Sequence, residues 1–274
     1  MSLFPRILAV GDAALTVELG DAIDREINAR VQALGRSVAL DPPPGVVEAV
    51  PTHRSLLVVY DPTLTDRRAL KHDLLERVAG AAERPEPGAL RVVSVLYGGD
   101  DGPDLGEVAA QARLTEAEAV RLHSGREYSA YMVGFSPGFA YLGDLDPRLA
   151  TPRRRTPRVR VPRGSVAIAG RLTGIYPSSS AGGWSLIGRT NVSLFDPTGE
   201  PPGLILPGDR VRFQAVPELD EPAAEATTPL TEHPALEVLD GGLLTTVQDS
   251  GRFGHRRLGV APMPLPTSAF AARW

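Results

Sequence analysis

The sequence predicts an α+β N-terminal domain followed by a mainly-β barrel domain, and three observations carry that prediction. Over residues 1–85, two apolar stripes at helical spacing interrupt four short β-rich runs. From Leu90 onward the runs become mostly short strands, with glycine and proline between them. Between Gly134 and Thr190 that punctuation is densest, around a few aromatics and arginines. Glycine gives up more conformational entropy on folding than any other residue. Such density belongs where turns need positive φ, or where backbone closely approaches a ligand or another strand. A length of 274 residues suffices for two domains with their own cores.

In the first unit, Arg6 to Val10 and Ala14 to Leu19 flank a Gly-Asp turn. Residues 21–35 place Ile23, Ile27, Val31 and Leu34 on one helical face. Val46 to Val50 and Ser55 to Tyr60 read as strands, separated by Pro51 and polar residues. Thr65 is placed to cap a helix whose stripe is Leu70, Leu74 and Val78. The expected result is a sheet covered by two helices on one face, with RPEPG (84–88) as the boundary.

The second unit spans 89–216. Val92 to Leu96 is a strand, and YGGDDGPDL is a turn-rich loop leading into a helix. Thr115 to Glu118 has capping-box spacing and starts a second helix through about His123. Tyr128 to Phe135, Arg158 to Val161, Val166 to Ala169, Ser185 to Ile187 and Val211 to Val216 then read as strands, a pattern that favours a closed barrel. Residues 217–235, rich in Pro, Ala, Glu and Thr without a period, read as a linker.

Composition narrows the chemistry. The 33 acidic and 29 basic residues leave a formal net charge of −4, which is not the balance of a bulk nucleic-acid binder. Lys71, the single lysine, sits in ALKHDL, so there is no Gly-Lys-Ser/Thr phosphate loop and any nucleotide must be held in another way. The absence of cysteine excludes a thiol nucleophile, Cys-ligated zinc and disulfides. His53, His72, His123, His233 and His255 show no metal-site spacing. With no apolar run of membrane-spanning length and no signal-peptide pattern, a cytoplasmic location is expected.

Four motifs, GFSPGFAYLGDLDP (134–147), VPRGSVAIAG (161–170), GIYP (174–177) and GGWSLIGRT (182–190), occur in an order that resembles the allophanate hydrolase subunit 1 family. That family includes the B subunit of the bacterial ATP-dependent 5-oxoprolinase and the kinase inhibitor KipI. The resemblance covers roughly residues 1–216 and implies that the barrel is cyclophilin-like. The last 39 residues, 236–274, resemble the opening of a second family, allophanate hydrolase subunit 2, through GLLTTVQDSGRFGHRRLGV (242–260). A fragment this short cannot bury its own core, so a truncated fusion with a poorly ordered tail is expected.

Several residues are candidates for substrate or nucleotide binding. Pro137-Gly138 reads as the centre of a turn with Ser136 and Phe139 at its edges, offering backbone N–H groups to a carboxylate or phosphate. Otherwise Phe135, Phe139 and Tyr141 are core residues at a barrel corner. Ser136 lacks a spaced histidine and acid, and G-F-S-P-G is not a nucleophile elbow. Among the arginines of ATPRRRTPRVRVPRG, Arg153 to Arg155 suit a solvated strand face, while Arg163, in the VPRGSV turn, can pair with a carboxylate or phosphate. Relatives typically carry glutamine where Leu172 stands, which leaves Thr173 and Tyr176 as the polar candidates of that motif. Trp184 is a packing aromatic over the barrel mouth or a stacking surface for a ligand ring. Arg189 is the preferred anion anchor against a structural ion pair, and Asp209 suits a turn into the last strand.

What the resemblance implies is a lactam-opening reaction in which 5-oxoproline, ATP and water give glutamate, ADP and phosphate. Phosphorylating the lactam oxygen would activate an otherwise resistant amide, a task of positioning and charge stabilisation. It also implies ATP with Mg²⁺ held by a complex, and subunits C and A of 5-oxoprolinase as partners, without which the chain is inactive. The family leaves two rivals: a carboxyltransferase or allophanate hydrolase component of urea metabolism, and a non-enzymatic inhibitor of a histidine kinase.

Overall fold

A computed structural model describes residues 4–80, 88–219 and 254–262. Strands β1 (Arg6–Ala9), β2 (Ala14–Glu18), β3 (Val46–Pro51) and β4 (Ser55–Tyr60) form an antiparallel sheet in the order β1-β2-β4-β3. Period-2 alternation turns Leu15, Val17, Leu56, Val58 and Tyr60 to one face. There they meet Val31, Leu34 and Val38 of α1 (Arg25–Leu40), and Leu70 and Leu74 of α2 (Arg67–Gly80). Each such side chain stabilises the fold by roughly 1.5–3 kcal/mol relative to exposure.

Both helix starts differ from expectation. The Asp24 carboxylate accepts from Glu26 N at 2.8 Å and Ile27 N at 3.1 Å, so α1 begins at Arg25 and leaves Ile23 outside, 51% exposed. The helix then continues past residue 35 to bury Val38. Before α2 it is Asp66, not Thr65, that supplies the cap: its Oδ2 accepts from Ala69 N at 3.4 Å and its carbonyl from Leu70 N at 3.0 Å.

The second part is a closed barrel. It contains β5 (Leu90–Tyr97), β6 (Glu127–Val133), β7 (Ala140–Leu142), β9 (Ser165–Ala169), β10 (Leu172–Ile175), β12 (Ser185–Arg189) and β13 (Arg210–Ala215), ordered β10-β7-β6-β13-β5-β12-β9. β8 (Arg158–Val161) does not join it; it pairs with β11 (Ser180–Gly182) in a separate ribbon, a correction to the expected strand set. β7, β10 and β11 are additions to that set, because three or four residues beside glycine carry too little periodicity to predict a strand. α3 (Leu105–Gln111) follows the acidic loop. α4 (Glu116–Ser124) starts at the capping box, with Thr115 Oγ1 accepting from Glu118 N at 3.2 Å and Glu118 accepting from Thr115 N at 2.8 Å.

The barrel is packed on both sides of part of its wall. Val93, Val95, Tyr128, Val166, Ile168, Ile175, Ile187, Val211 and Phe213 fill the interior. Alternate residues on the same strands, Tyr131, Ala167, Ala169, Leu172 and Leu186, belong to a second cluster on the outer face. β9 and β10 are consequently buried at every position, whereas β13 is buried on one face only.

Several contacts join the parts. On α1, Gln32 Nε2 and Asn28 Nδ2 donate to the Tyr131 carbonyl at 2.8 and 3.1 Å. Residues 254–262, expected in a poorly ordered tail, instead pack with Leu258 3% exposed. The boundary at 84–88 falls mostly outside the described residues, as do the linker beyond residue 219 and the rest of 236–274.

Candidate functional site

The outer face of β7, β9 and β10 carries small residues at Ala167, Ala169 and Gly174, and four large rings meet on it. Phe139 stands at the centre, with its ring centroid 5.3 Å from Tyr176, 5.4 Å from Trp184 and 5.0 Å from Tyr141, all edge-to-face. Gly174 makes this possible: a Cβ there would lie 2.9 Å from the Ala140 carbonyl oxygen, 3.2 Å from Phe139 Cζ and 3.3 Å from Trp184 Cζ3. Gly182 does the same for Tyr176, whose hydroxyl occupies the Cβ position. Part of the glycine density between 134 and 190, at Gly143, Gly174 and Gly182, thus serves the approach of rings to backbone, while Gly138, Gly164 and Gly188 lie against carbonyl oxygens.

The first sheet closes one side of this cluster. His53, between β3 and β4, sets its ring edge-on to Tyr141 at 5.3 Å and to Tyr131 at 6.3 Å. Its Nδ1 is buried with no hydrogen-bond partner, and burial lowers its pKa, so the imidazole is held neutral. Burial raises the phenol of Tyr141, with Arg153 pulling the other way. Tyr176 is likewise raised by burial, against a backbone hydrogen bond from Trp184 and the charges of Arg153 and Arg158.

Asp104, 5% exposed, organises the other side. Its carboxylate accepts from Arg158 Nη1 at 2.9 Å and Nη2 at 2.7 Å, from Arg154 Nη1 at 3.1 Å and from Leu186 N at 2.7 Å. Arg154 N in turn donates to the Gly183 carbonyl at 2.8 Å. Arg153, Arg154 and Arg155 are all exposed, as expected of a solvated face, and Arg154 in addition reaches the buried acid with its guanidinium.

The candidate residues fall into four places. Phe139, Tyr176 and Trp184 share the cluster, with Trp184 on the outer wall and not over the barrel mouth. Ser136 and Gly138 form the expected turn, Phe139 N donating to the Ser136 carbonyl at 3.0 Å with Gly138 at φ 81°. The Gly138 N–H is already used, donating to the Leu258 carbonyl at 3.0 Å. Phe135, for which the core is the alternative reading, has φ 71° and is 62% exposed, which rules that alternative out; the left-handed backbone turns its ring outward against the edges of Phe139 and Tyr176.

Arg163 and Arg189 lie at adjoining strand ends. Gly164 N donates to the Tyr176 carbonyl at 2.8 Å and Thr190 N to the Gly164 carbonyl at 2.9 Å, which links both arginine loops to the cluster. Arg189 Nη1 stands 3.4 Å from Asp101 Oδ1, with its side chain 48% exposed. Thr173 is apart from all of these, fully buried in the barrel interior. Asp209 holds its turn as expected, accepting from Ala89 N and Leu206 N at 3.0 Å each. Sequence reasoning missed His53 and Asp104 because nothing local separates one from other scattered histidines or the other from its acidic loop.

The surroundings offer less chemistry. Among the described residues no group of three or more His, Cys, Asp or Glu is placed to hold a metal ion, and no helix is long and apolar enough to cross a membrane. An open cleft of about 650 Å³ lined by Asp12, Tyr60, Arg67 and Arg68 lies beside the first sheet, away from the glycine-rich motifs.

Residues 5–205 match the family described as carboxyltransferase domain, subdomain C and D. The chain is 39% identical over 231 residues to the 5-oxoprolinase B subunit of Bacillus subtilis (strain 168), covering 80% of this chain and 96% of that protein. It is 42% identical over 212 residues to the 5-oxoprolinase B subunit of Escherichia coli O157:H7, covering 76% and 94%. The crystal structure of TTHA0988 aligns with a TM-score of 0.74 at 37% identity over 89% of this chain; the match covers 49% of that protein, so this chain spans about half its length. The chain therefore belongs to the carboxyltransferase C and D subdomain family, the allophanate hydrolase subunit 1 or KipI-like group.

Proposed function

We propose that this chain is the B subunit of an ATP-dependent 5-oxoprolinase and opens 5-oxoproline to glutamate together with subunits A and C. The observation that carries the reading is that two relatives bearing that name match over nearly their whole lengths. The geometry is compatible with it. The exposed Phe135, the half-buried Tyr141 and the exposed Arg153 rim the aromatic cluster, so ring edges stand beside a cation. A small flat lactam lies on such edges while its carboxylate pairs with a guanidinium. Arg163 and Arg189 then serve phosphoryl charge, through electrostatics alone. In this reading nucleotide and magnesium are held by the assembled subunits, the metal through the nucleotide's phosphates.

The test is reconstitution. Purified with subunits A and C, the chain should support ATP-dependent release of glutamate from 5-oxoproline, and alone it should not. Turnover of urea or allophanate by the same mixture, with 5-oxoproline inert, would overturn the reading in favour of urea metabolism.

A further inference from the structure

Glu48 is an acidic residue inside a strand, 6% exposed, at an irregularity where β3 slips register against β4. Such irregularities re-aim side chains, and this one aims a carboxylate at residues 254–262. Glu48 Oε1 accepts from Arg256 N at 2.6 Å and Arg257 N at 3.4 Å, and Oε2 accepts from Arg256 Nη1 at 2.7 Å. On the other side, Gly138 N donates to the Leu258 carbonyl, and Leu258 is buried. Gly259 has φ 78°, and a Cβ there would collide with the Ser136 carbonyl oxygen. Arg257 is exposed and meets Glu48 through its backbone N–H.

We propose that the face made by Glu48 and the Gly134–Phe139 turn is a protein-recognition site for an Arg-x-Leu-Gly turn, filled here in cis and able to take the same turn from another protein chain. Each position has its own physical requirement. The arginine neutralises a carboxylate that is costly to bury alone, the leucine fills an apolar seat, and the glycine meets both the left-handed backbone and the lack of room for a Cβ. Position x is read only through its N–H. Residues 220–253 connect the turn to the barrel, a length that at full extension reaches roughly 100 Å. Covalent attachment over such a span raises the local concentration of the turn but does not dictate which molecule presents it. The inference is independent of the substrate assigned above.

The test uses the full chain with Arg256→Ala and Leu258→Ala, so that its own turn no longer fits, and a fluorescent peptide of residues 251–262 followed by anisotropy. Saturable binding is expected, weakened about tenfold or more by Arg256→Ala in the peptide or by Glu48→Gln in the protein, and unchanged by Arg257→Ala in the peptide. No binding to a chain that circular dichroism shows to be folded would overturn the proposal, as would equal loss on replacing Arg256 and Arg257. Should the double substitution unfold the chain, a protease site placed within 220–253 of the otherwise unaltered protein is cut. Millimolar peptide should then displace the resident turn, and its retention would overturn the proposal.

Discussion

His123 donates its Nε2 proton to Thr173 Oγ1 across 2.9 Å inside the barrel. The direction follows from the neighbours. Thr173 spends its own hydroxyl proton on the Ala167 carbonyl at 3.0 Å, so it can only accept from the ring. Nδ1 is then the acceptor of the Tyr97 hydroxyl at 2.7 Å. The neutral imidazole is fully satisfied, and its face stacks on Phe213 at 4.6 Å. A candidate substrate-binding threonine is thereby engaged in a buried hydrogen-bond chain.

Acid should loosen this fold through His123. Burial, with a smaller contribution from the Arg126 charge, lowers its pKa to about 3. Because the unfolded chain takes up the proton near pH 6.5, the stability contribution is whole above that pH and declines as pH falls towards 3, by up to ~1.4 kcal/mol per pH unit. Urea midpoints measured at pH 7 and pH 4.5 should differ accordingly, and His123→Phe should flatten the dependence, leaving the smaller part due to His53, whose pKa is also lowered. An unaltered slope in His123→Phe would rule out this origin.

Asp104→Ala should cost about 3 kcal/mol, because it strands two arginines and leaves the Leu186 N–H without its carboxylate. The figure sits at the low end for a buried pair, since Arg154 and Arg158 keep 36% and 25% of their side-chain exposure. In a Trp274→Phe background, Trp184 emission should shift to the red as the 182–186 loop loosens. Unchanged emission and stability would show that the arginines hold nothing in place.

Gly174→Ala probes the approach of rings to backbone. Its Cβ would press on the Ala140 carbonyl and on the edges of Phe139 and Trp184, an overpacking worth about 1–3 kcal/mol. Thermal unfolding should move down by several degrees, at roughly 2–4 °C per kcal/mol for a protein of this size. A wild-type melting temperature would mean that the outer wall yields more readily than its packing suggests.

Arg189→Ala separates an anion anchor from a structural ion pair. The half-exposed contact with Asp101 is worth at most about 1 kcal/mol to the fold. Loss of a charge-assisted hydrogen bond to ligand would weaken binding by roughly ten- to a hundredfold. Calorimetric titration of 5-oxoproline and ATP into the assembled subunits, with and without the substitution, reads both quantities. Unchanged affinity with a large drop in melting temperature would return Arg189 to a purely structural role.

Local order was legible in the residues themselves. The stripes of α1 and α2, the capping box at Thr115, the Pro137-Gly138 turn and the Asp209 turn all depend on neighbours a few residues apart, and all are present apart from Ile23, which the Asp24 cap leaves outside α1. Periodicity failed where strands were too short to express it, as in β7, β10 and β11, and where two acceptable caps stood side by side, as at Thr65 and Asp66. Burial of β9 on both faces was also hidden, because alternation shows only when one face meets water.

By itself, then, the sequence determined the element types, the barrel-forming strand texture, the absence of thiol chemistry and the family. Only the tertiary structure decided that Phe139, Tyr176 and Trp184 lie on the outside of the wall while Thr173 lies within it. It alone brought His53 to Tyr141, and joined Glu48 to Arg256 across 208 positions of sequence. Propensity and periodicity are properties of contiguous residues, whereas these contacts exist only once the barrel has closed and the first sheet has docked against it.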